Sequence, residues 1–429
     1  MISSVGHQGD GIAAINPDQF HGATQAFIPN TMAEEEVVIT PKARTKFGID
    51  ADLAEVLTPS PHRRPAECKV ADQCGGCQTQ MMSDDFYQNW KTETVKATLE
   101  PLDISPSSWL EPFITKNKSR RRARLAYRKL AQGIICGFRA SKSHQIITPS
   151  GCMILSESLM QCVEALTNTI LPALAAESMG EVTITDTDHG WDITLHPEKM
   201  PSHNDIAGMI NAASATNVTR LSIAEKDGQI TPHFTKRIPT LTWSNNEGET
   251  LQLYPAPGSF LQADASAENI MQRDIADGLD GYDRVLDLFC GSGTLSLPLL
   301  MGKNPPKLIH GYDSGEDALE AMLMTAKSAD QFHRVKTTKQ NLFKDPLTRQ
   351  EIDQFDAVIV DPPRAGAATL MPALADSDVQ RVMMVSCNPQ SFVKDAAVLI
   401  EGGFHCRGIR MVDQFLRTPH AELVARFDR

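Results

Sequence analysis

At 429 residues, with 41% hydrophobic and 22% charged residues, the chain has ordinary globular composition and enough length for two or three domains. No stretch approaches the ~18 consecutive apolar residues of a membrane helix, and a formal charge of −12 excludes a protein that grips nucleic acid with its whole surface. The N-terminus, MISSVGHQGDGIAAINPD, carries neither a basic segment before an apolar run nor an arginine-rich amphipathic pattern; the cytoplasm is the expected compartment and the nine cysteines are expected to be reduced.

Residues 1–58 place Gly6, Gly9, Gly11 and Gly22 between the short apolar runs GIAAI, QAFI and EEVVIT, which predicts an all-β module of the small-barrel kind. Residues 1–60 hold eight acidic residues and three basic ones, a weak surface for phosphates. Pro59, Pro61 and Pro65 then mark a linker, followed by CKVADQCGGCQTQ with Cys68, Cys74 and Cys77. Three thiols are one short of a closed site. His62 or His144 could complete a Cys3His zinc site, or a distant fourth cysteine could complete a four-iron cluster. A thioredoxin-type pair fits poorly because no βαβ unit follows Cys77.

Helical spacing at Phe86, Trp90, Val95 and Leu99, with Ser83 as a candidate N-cap, predicts a helix next. KNKSRRRARLAYRK gathers Lys116, Lys118, Arg120, Arg121, Arg122, Arg124, Arg128 and Lys129 without an acidic residue. A solvated charged face is the ordinary meaning of such a run; a phosphate-binding patch is the other. From 120 to 250, ARLAYR, GIICGFR, EVTITDT, WDITLH and LQLYP are predicted strands and SESLMQCVEALTNTILPALAA one long helix, an α+β pattern. Beyond 280, the apolar strands RVLDLF, KLIHGYD, FDAVIVD and RVMMVSC alternate with helices, the mark of a doubly wound parallel α/β sheet. The predicted division is therefore 1–58, 59–250 and 251–429.

RVLDLFCGSGTLSLPLL puts Asp287 near a strand end, then a Gly291-x-Gly293 turn, then an apolar helix. Such a turn lets a nucleoside ligand approach the carboxyl edge of the sheet, although Ser296 replaces the third glycine of a dinucleotide fingerprint. Asp313 and Asp361 end the next strands. Three acidic strand ends on one crevice suit a sulfonium better than a pyrophosphate, which points to S-adenosylmethionine.

DLFCGSGTLSLPL, DPPRAG, VSCNP and TPHAELVARF resemble, in that order, the class I S-adenosylmethionine-dependent RNA 5-methyluridine methyltransferases. GHQGDGIA and AFIPNTMAEEEV are similar to that family's N-terminal TRAM barrel, and SFLQADASAEN to its entry into the catalytic domain. The cysteine cluster resembles the branch that carries an iron-sulfur cluster and methylates ribosomal RNA. The resemblance implies cofactor contacts from Gln262, Phe289, Thr294, Asp313, Asn341 and Asp361, with Asp313 standing where glutamate is more usual. It implies a 4Fe-4S cluster on Cys68, Cys74, Cys77 and Cys152, of structural or RNA-positioning use, and an RNA substrate, ribosomal ahead of transfer RNA. A monomer without membrane attachment is expected.

Carbon 5 of uracil takes a methyl group only after a thiolate adds to carbon 6, and a base must then remove the carbon 5 proton. Cys387, at a strand end before an Asn-Pro turn, is the candidate nucleophile, although an isolated cysteine more often fills a core; a local field favouring its thiolate is expected. Glu422 is the candidate base, with His420 close by in sequence; burial is expected to raise its pKa. Arg364 is a candidate for holding the loop or a phosphate. Cys136, Cys162 and Cys290 read as packing residues. Rival readings are a DNA or small-molecule methyltransferase, which DPPR opposes, a transfer-RNA uridine C5 methyltransferase, and an iron-sulfur RNA-binding protein whose methyltransferase fold is inactive. Neutralising Arg121, Arg122 and Arg124 is expected to weaken RNA binding.

Overall fold

A computed structural model describes residues 1–20, 22–141, 143–245 and 248–429. The chain divides into two compact units: Met1–Ala97 with Phe138–Met153 and Phe415–His420, and Thr98–Gly137 with Ile154–Gln414 and Ala421–Arg429.

In the first unit the apolar runs of the N-terminal segment each form a strand, and a five-stranded sheet runs Ile2–Val5, Gly11–Ala14, Gln25–Ile28, Ile49–Thr58, Glu36–Arg44. The Ile2 N–H donates to the Glu35 carbonyl at 2.8 Å and the Glu34 N–H to the Ile2 carbonyl at 2.9 Å, which ties the first strand to the entry of Glu36–Arg44. Ile2, Ala26, Ile28, Ile49 and Ala51 form its small core. The predicted helix is present as Asp84–Leu99, its first turn closed by the Tyr87 N–H on the Ser83 carbonyl at 2.9 Å.

The second unit contains an eight-stranded sheet in the order Val335–Lys339, Leu308–Asp313, Arg284–Leu288, Ala357–Val360, Arg381–Ser386, Glu422–Asp428, His405–Asp413, Phe113–Ile114. The first five strands are mutually parallel, as the apolar runs predict. Val285, Ile309, Val358, Ile359, Val360 and Val382 are fully buried, because helices cover a parallel sheet and leave no face for polar side chains. Glu422–Asp428 enters antiparallel between Arg381–Ser386 and His405–Asp413, a reversal that uniform strand-helix alternation does not reveal.

A second sheet of this unit runs Ile230–Thr235, Val218–Ala224, Gly190–Pro197, Met179–Thr187, Arg122–Leu130, then Gly133–Arg139 paired at residues 133–137. Two predicted helices differ from what forms. The long helix breaks into Glu157–Ala165, a π turn Leu166–Ile170 and a 3-10 turn Leu171–Ala173, where Pro172 lacks the N–H that would continue it. The helix predicted after Gly293 is only the 3-10 turn Leu297–Met301, with Pro298 in its first positions. Among the described residues no helix is long and apolar enough to cross a membrane.

Candidate active site

The carboxyl ends of Arg284–Leu288, Leu308–Asp313 and Ala357–Val360 bring Asp287, Asp313 and Asp361 to one edge of the sheet. After Leu288 the chain turns through Phe289 at φ +62°, Gly291 at +52° and Gly293 at +72°. Phe289 is the exception there, since a side chain rarely adopts a positive φ unless its surroundings hold it; its ring packs on Phe343 at 5.3 Å between centroids. Gly293 is required twice over, by its φ and because a Cβ would stand 2.8 Å from Met322 Cγ.

Asp313 braces this loop. Its Oδ2 accepts from the Gly291 N–H at 3.0 Å and its Oδ1 from the Gly315 N–H at 2.8 Å. Thr294 offers its carbonyl to Gln272 Nε2 at 2.7 Å, and Asn341 Oδ1 caps the Phe343 and Lys344 N–H groups at 3.1 and 3.2 Å. Asp287 Oδ2 and Ser292 Oγ are buried without a hydrogen-bond partner. Burial, with Asp361 and Asp313 adding like charge, pushes Asp287 up to about 7, and burial pushes Asp361 to about 7. Orphaned polar atoms beside carboxyl groups whose pKa is raised to about 7 form a polar cradle.

The register of the reversed strand builds the second part of the site. Ser386 pairs with Leu423 in the antiparallel ladder. Cys387 follows the end of that strand and Glu422 precedes Leu423, and the Glu422 carboxyl is close enough to act on the Cys387 thiol. The electrostatics agree with this placement. Cys387 is pushed up to about 11 by burial, then by the Glu422 carboxylate and by Asp361, while the Arg364 guanidinium hydrogen bonds the thiol and opposes the rise. The field expected to favour a thiolate is therefore absent from the protein alone, because two carboxyl groups share the pocket with one arginine. Glu422 is only 3% exposed. Burial and Asp361 push it up to about 8, against Gln414 and Arg364, in the direction expected.

Gln262 is buried at this site, its Oε1 accepting from Gln414 Nε2 at 2.5 Å, and the same nitrogen donates to Glu422 Oε1 at 2.9 Å. Gln414 carries no signal in the sequence that would select it, since nothing in VDQF marks a buried amide between two candidate site residues. His420 packs edge-on against Phe415, with ring centroids 6.1 Å apart.

The basic run is largely committed to the protein. Arg121 pairs with the buried Glu268 at 2.6 Å, Arg124 with Glu181 at 2.6 Å and Arg128 with Glu177 at 3.7 Å, while Lys129 Nζ donates to the Pro172 carbonyl at 2.8 Å. The acidic residues that the run itself lacks come from elsewhere: Glu181 from the strand Met179–Thr187, Glu177 from the turn before it and Glu268 from the helix Ala265–Leu279. Arg122 lies over the exposed Phe260 ring at 5.4 Å, and Lys116 and Lys118 are exposed.

In the first unit, Cys68, Cys74 and Cys77 lie on one loop, with Cys152 following the short strand Ile146–Ile147. Cys77 is pushed up to about 12 by burial, and Cys152, Cys74 and Cys68 each add to the rise; Cys74 is raised by burial and then by Cys152 and Cys68. The four thiols thus act on one another, although among the described residues no group of three or more His, Cys, Asp or Glu is already drawn together as a metal site. Cys136 and Cys162 are fully buried in the second unit.

A family profile described as a methyltransferase domain matches residues 279–415. The chain is 30% identical over 431 residues, 99% of its length and 97% of the relative's, to an uncharacterized RNA methyltransferase of Agrobacterium fabrum. It is 28% identical, over 100% of its length and 88% of the relative's, to the 23S rRNA (uracil(1939)-C(5))-methyltransferase RlmD of Alteromonas naphthalenivorans. Among solved structures, the tRNA (uracil-54, C5)-methyltransferase of Pyrococcus abyssi, in complex with S-adenosyl-L-homocysteine, shares the fold with a TM-score of 0.73 at 19% identity, covering 99% of this chain and 98% of that one.

Proposed function

We infer that this protein, which belongs to the RNA methyltransferase family, transfers the methyl group of S-adenosylmethionine to carbon 5 of a uridine in RNA. The observation that supports the reading is the antiparallel Ser386–Leu423 register, from whose end Cys387 follows and into which the buried Glu422 leads. Chemistry at carbon 5 needs that pair, and methylation of an amino or hydroxyl group does not.

S-adenosylmethionine supplies an electrophilic methyl on a positive sulfonium. The residues present fit it: the unpartnered Asp287 Oδ2 and Ser292 Oγ lie in the cradle, and the three aspartates complement a cation. Gln262, Phe289, Thr294, Asp313, Asn341 and Asp361 would hold it. Cys387, raised to about 11 by burial with Arg364 opposing the rise, adds as thiolate to carbon 6 and the electron pair moves to the carbon 4 oxygen. Carbon 5 would then take the methyl, the pair of the broken carbon–sulfur bond staying on the departing thioether. Glu422 removes the carbon 5 proton, the pair re-forms the 5,6 double bond, and the Cys387 thiolate leaves.

Ribosomal RNA is the proposed substrate, because the relative named for it aligns over the full chain at 28% identity, whereas the transfer-RNA enzyme shares the fold alone. Mapping 5-methyluridine in RNA from cells with and without the gene tests this: one ribosomal position should lose the methyl group, and loss confined to transfer RNA would reassign the substrate.

Residues 1–58 are proposed as a TRAM-like barrel, which the bonds from Ile2 to residues 34 and 35 support, with 59–250 as a central domain and 251–429 as the methyltransferase domain. The protein is proposed to work as a cytoplasmic monomer. For phosphate contact we assign Lys118, Arg122 and Arg124 and leave Arg121 aside, since its loss would strand the buried Glu268. Replacing those three with glutamine should weaken RNA binding and flatten the dependence of log affinity on log salt by about 0.7 per lost contact with a single strand. An unchanged slope in a binding titration would remove this patch from the interface.

The four cysteines are proposed to hold a 4Fe-4S cluster. The four thiolate donors are of the type that holds such a cluster, and Cys77 and Cys74 lie within electrostatic reach of Cys152 and Cys68. Anaerobically purified protein should contain iron and inorganic sulfide in equal amounts, and Cys152→Ala should lose both together with part of the thermal stability of the first unit. Zinc in place of iron would overturn the assignment.

A further inference from the structure

We propose that Gln414 is the positioning residue of the base: it ties Glu422 to Gln262 and favours Oε2 of Glu422 as the oxygen that takes the carbon 5 proton. This rests on the reading of Glu422 as the base.

Gln414 follows the strand His405–Asp413 and is 2% exposed. Its Oε1 accepts from the Ala263 N–H at 2.8 Å. A backbone N–H can only donate, so the amide oxygen is fixed on that side and Nε2 must face the other way. There it meets two acceptors, Gln262 Oε1 at 2.5 Å and Glu422 Oε1 at 2.9 Å. Both hydrogens of the amide are then committed. Nε2 donates into one lone pair of Glu422 Oε1 and lowers the basicity of that oxygen, which favours protonation at Oε2. Oε2 is thereby the preferred working atom of the base. Gln262, with its oxygen engaged, turns its own amide nitrogen away from Gln414.

The step balances as follows. The carbon 5 proton passes to Glu422 Oε2, its bonding pair forms the 5,6 double bond, and the carbon 6–sulfur bond breaks with its pair leaving on Cys387. A glutamine that merely anchored the loop at Ala263 would need no contact with Glu422, and its removal would harm every step alike.

The test compares wild type, Gln414→Met and Glu422→Gln on two RNAs from a strain lacking the gene, one batch grown normally and one with 5-fluorouracil. In the fluorinated RNA, carbon 5 has no proton to lose, so the covalent adduct forms and stays without help from a base. Gln414→Met should slow product release from normal RNA at least about tenfold more than it slows formation of that adduct. The acid limb of its release rate should move to higher pH, since a donor that favours the carboxylate is gone. Wild-type release with an unshifted limb would overturn the proposal. So would equal loss of adduct formation on the fluorinated RNA, which would make Gln414 a part of the general scaffold. Should Gln414→Met fail to fold, Gln414→Glu keeps the acceptor for Ala263 and must show the same upward limb; a wild-type limb there is equally fatal. Glu422→Gln stands apart: wild-type release by that variant would refute the base itself, whatever Gln414→Met does.

Discussion

Cys387→Ala should abolish transfer of labelled methyl from S-adenosylmethionine to RNA, with a loss of about 10⁴-fold or more, because without the thiolate carbon 5 never becomes nucleophilic. The thiol is only partly buried, so alanine leaves a small gap and the thermal midpoint should hardly move. The variant should bind RNA and cofactor as before yet yield no covalent complex on denaturing gels. Transfer persisting above a hundredth of wild type would exclude the thiol mechanism.

Glu422→Gln should behave differently, since the defect falls after methyl transfer. Loss of a general base costs about 10²–10⁴-fold, and the methylated covalent adduct should accumulate where wild type releases it. The pH dependence of release follows from the same group. Glu422 is raised to about 8, and the base works as the carboxylate, so release should fall as pH drops below about 8 and level off above it. Adduct formation depends on Cys387 instead. With its thiol raised to about 11, formation should keep rising across the range where release has levelled off. A common plateau for both steps would show that one group limits them, contrary to the assignment.

Much of the methyltransferase sheet was legible in the sequence. Strands such as RVLDLF and FDAVIVD are apolar on both faces and carry aspartate at or near their carboxyl ends, a pattern that few folds other than a covered parallel sheet produce. The short apolar runs at the N-terminus were legible as strands through glycine spacing. Two helices were misjudged where proline intervenes, at Pro172 and Pro298. The charge environment was read less well than the secondary structure. The run from Lys116 to Lys129 contains no acid, yet Glu268, Glu181 and Glu177 arrive from distant positions to pair with it. Cys387 was expected to be favoured as thiolate, but its pocket proved to contain two carboxyl groups.

By itself the sequence determined the chemistry on offer: a glycine turn between acidic strand ends, one thiol before an Asn-Pro turn, one glutamate in an apolar run, and three cysteines within ten positions. The tertiary structure alone decided which of these meet. Cys387 and Glu422 are far apart along the chain, and only the reversal of the last strand, locked by the Ser386–Leu423 register, makes them neighbours. Gln414 could not be read at all, because a buried amide takes its meaning from the three groups that surround it. Local pattern encodes which face of a strand is buried, whereas the partner across the ladder is set by long-range pairing that no local pattern records.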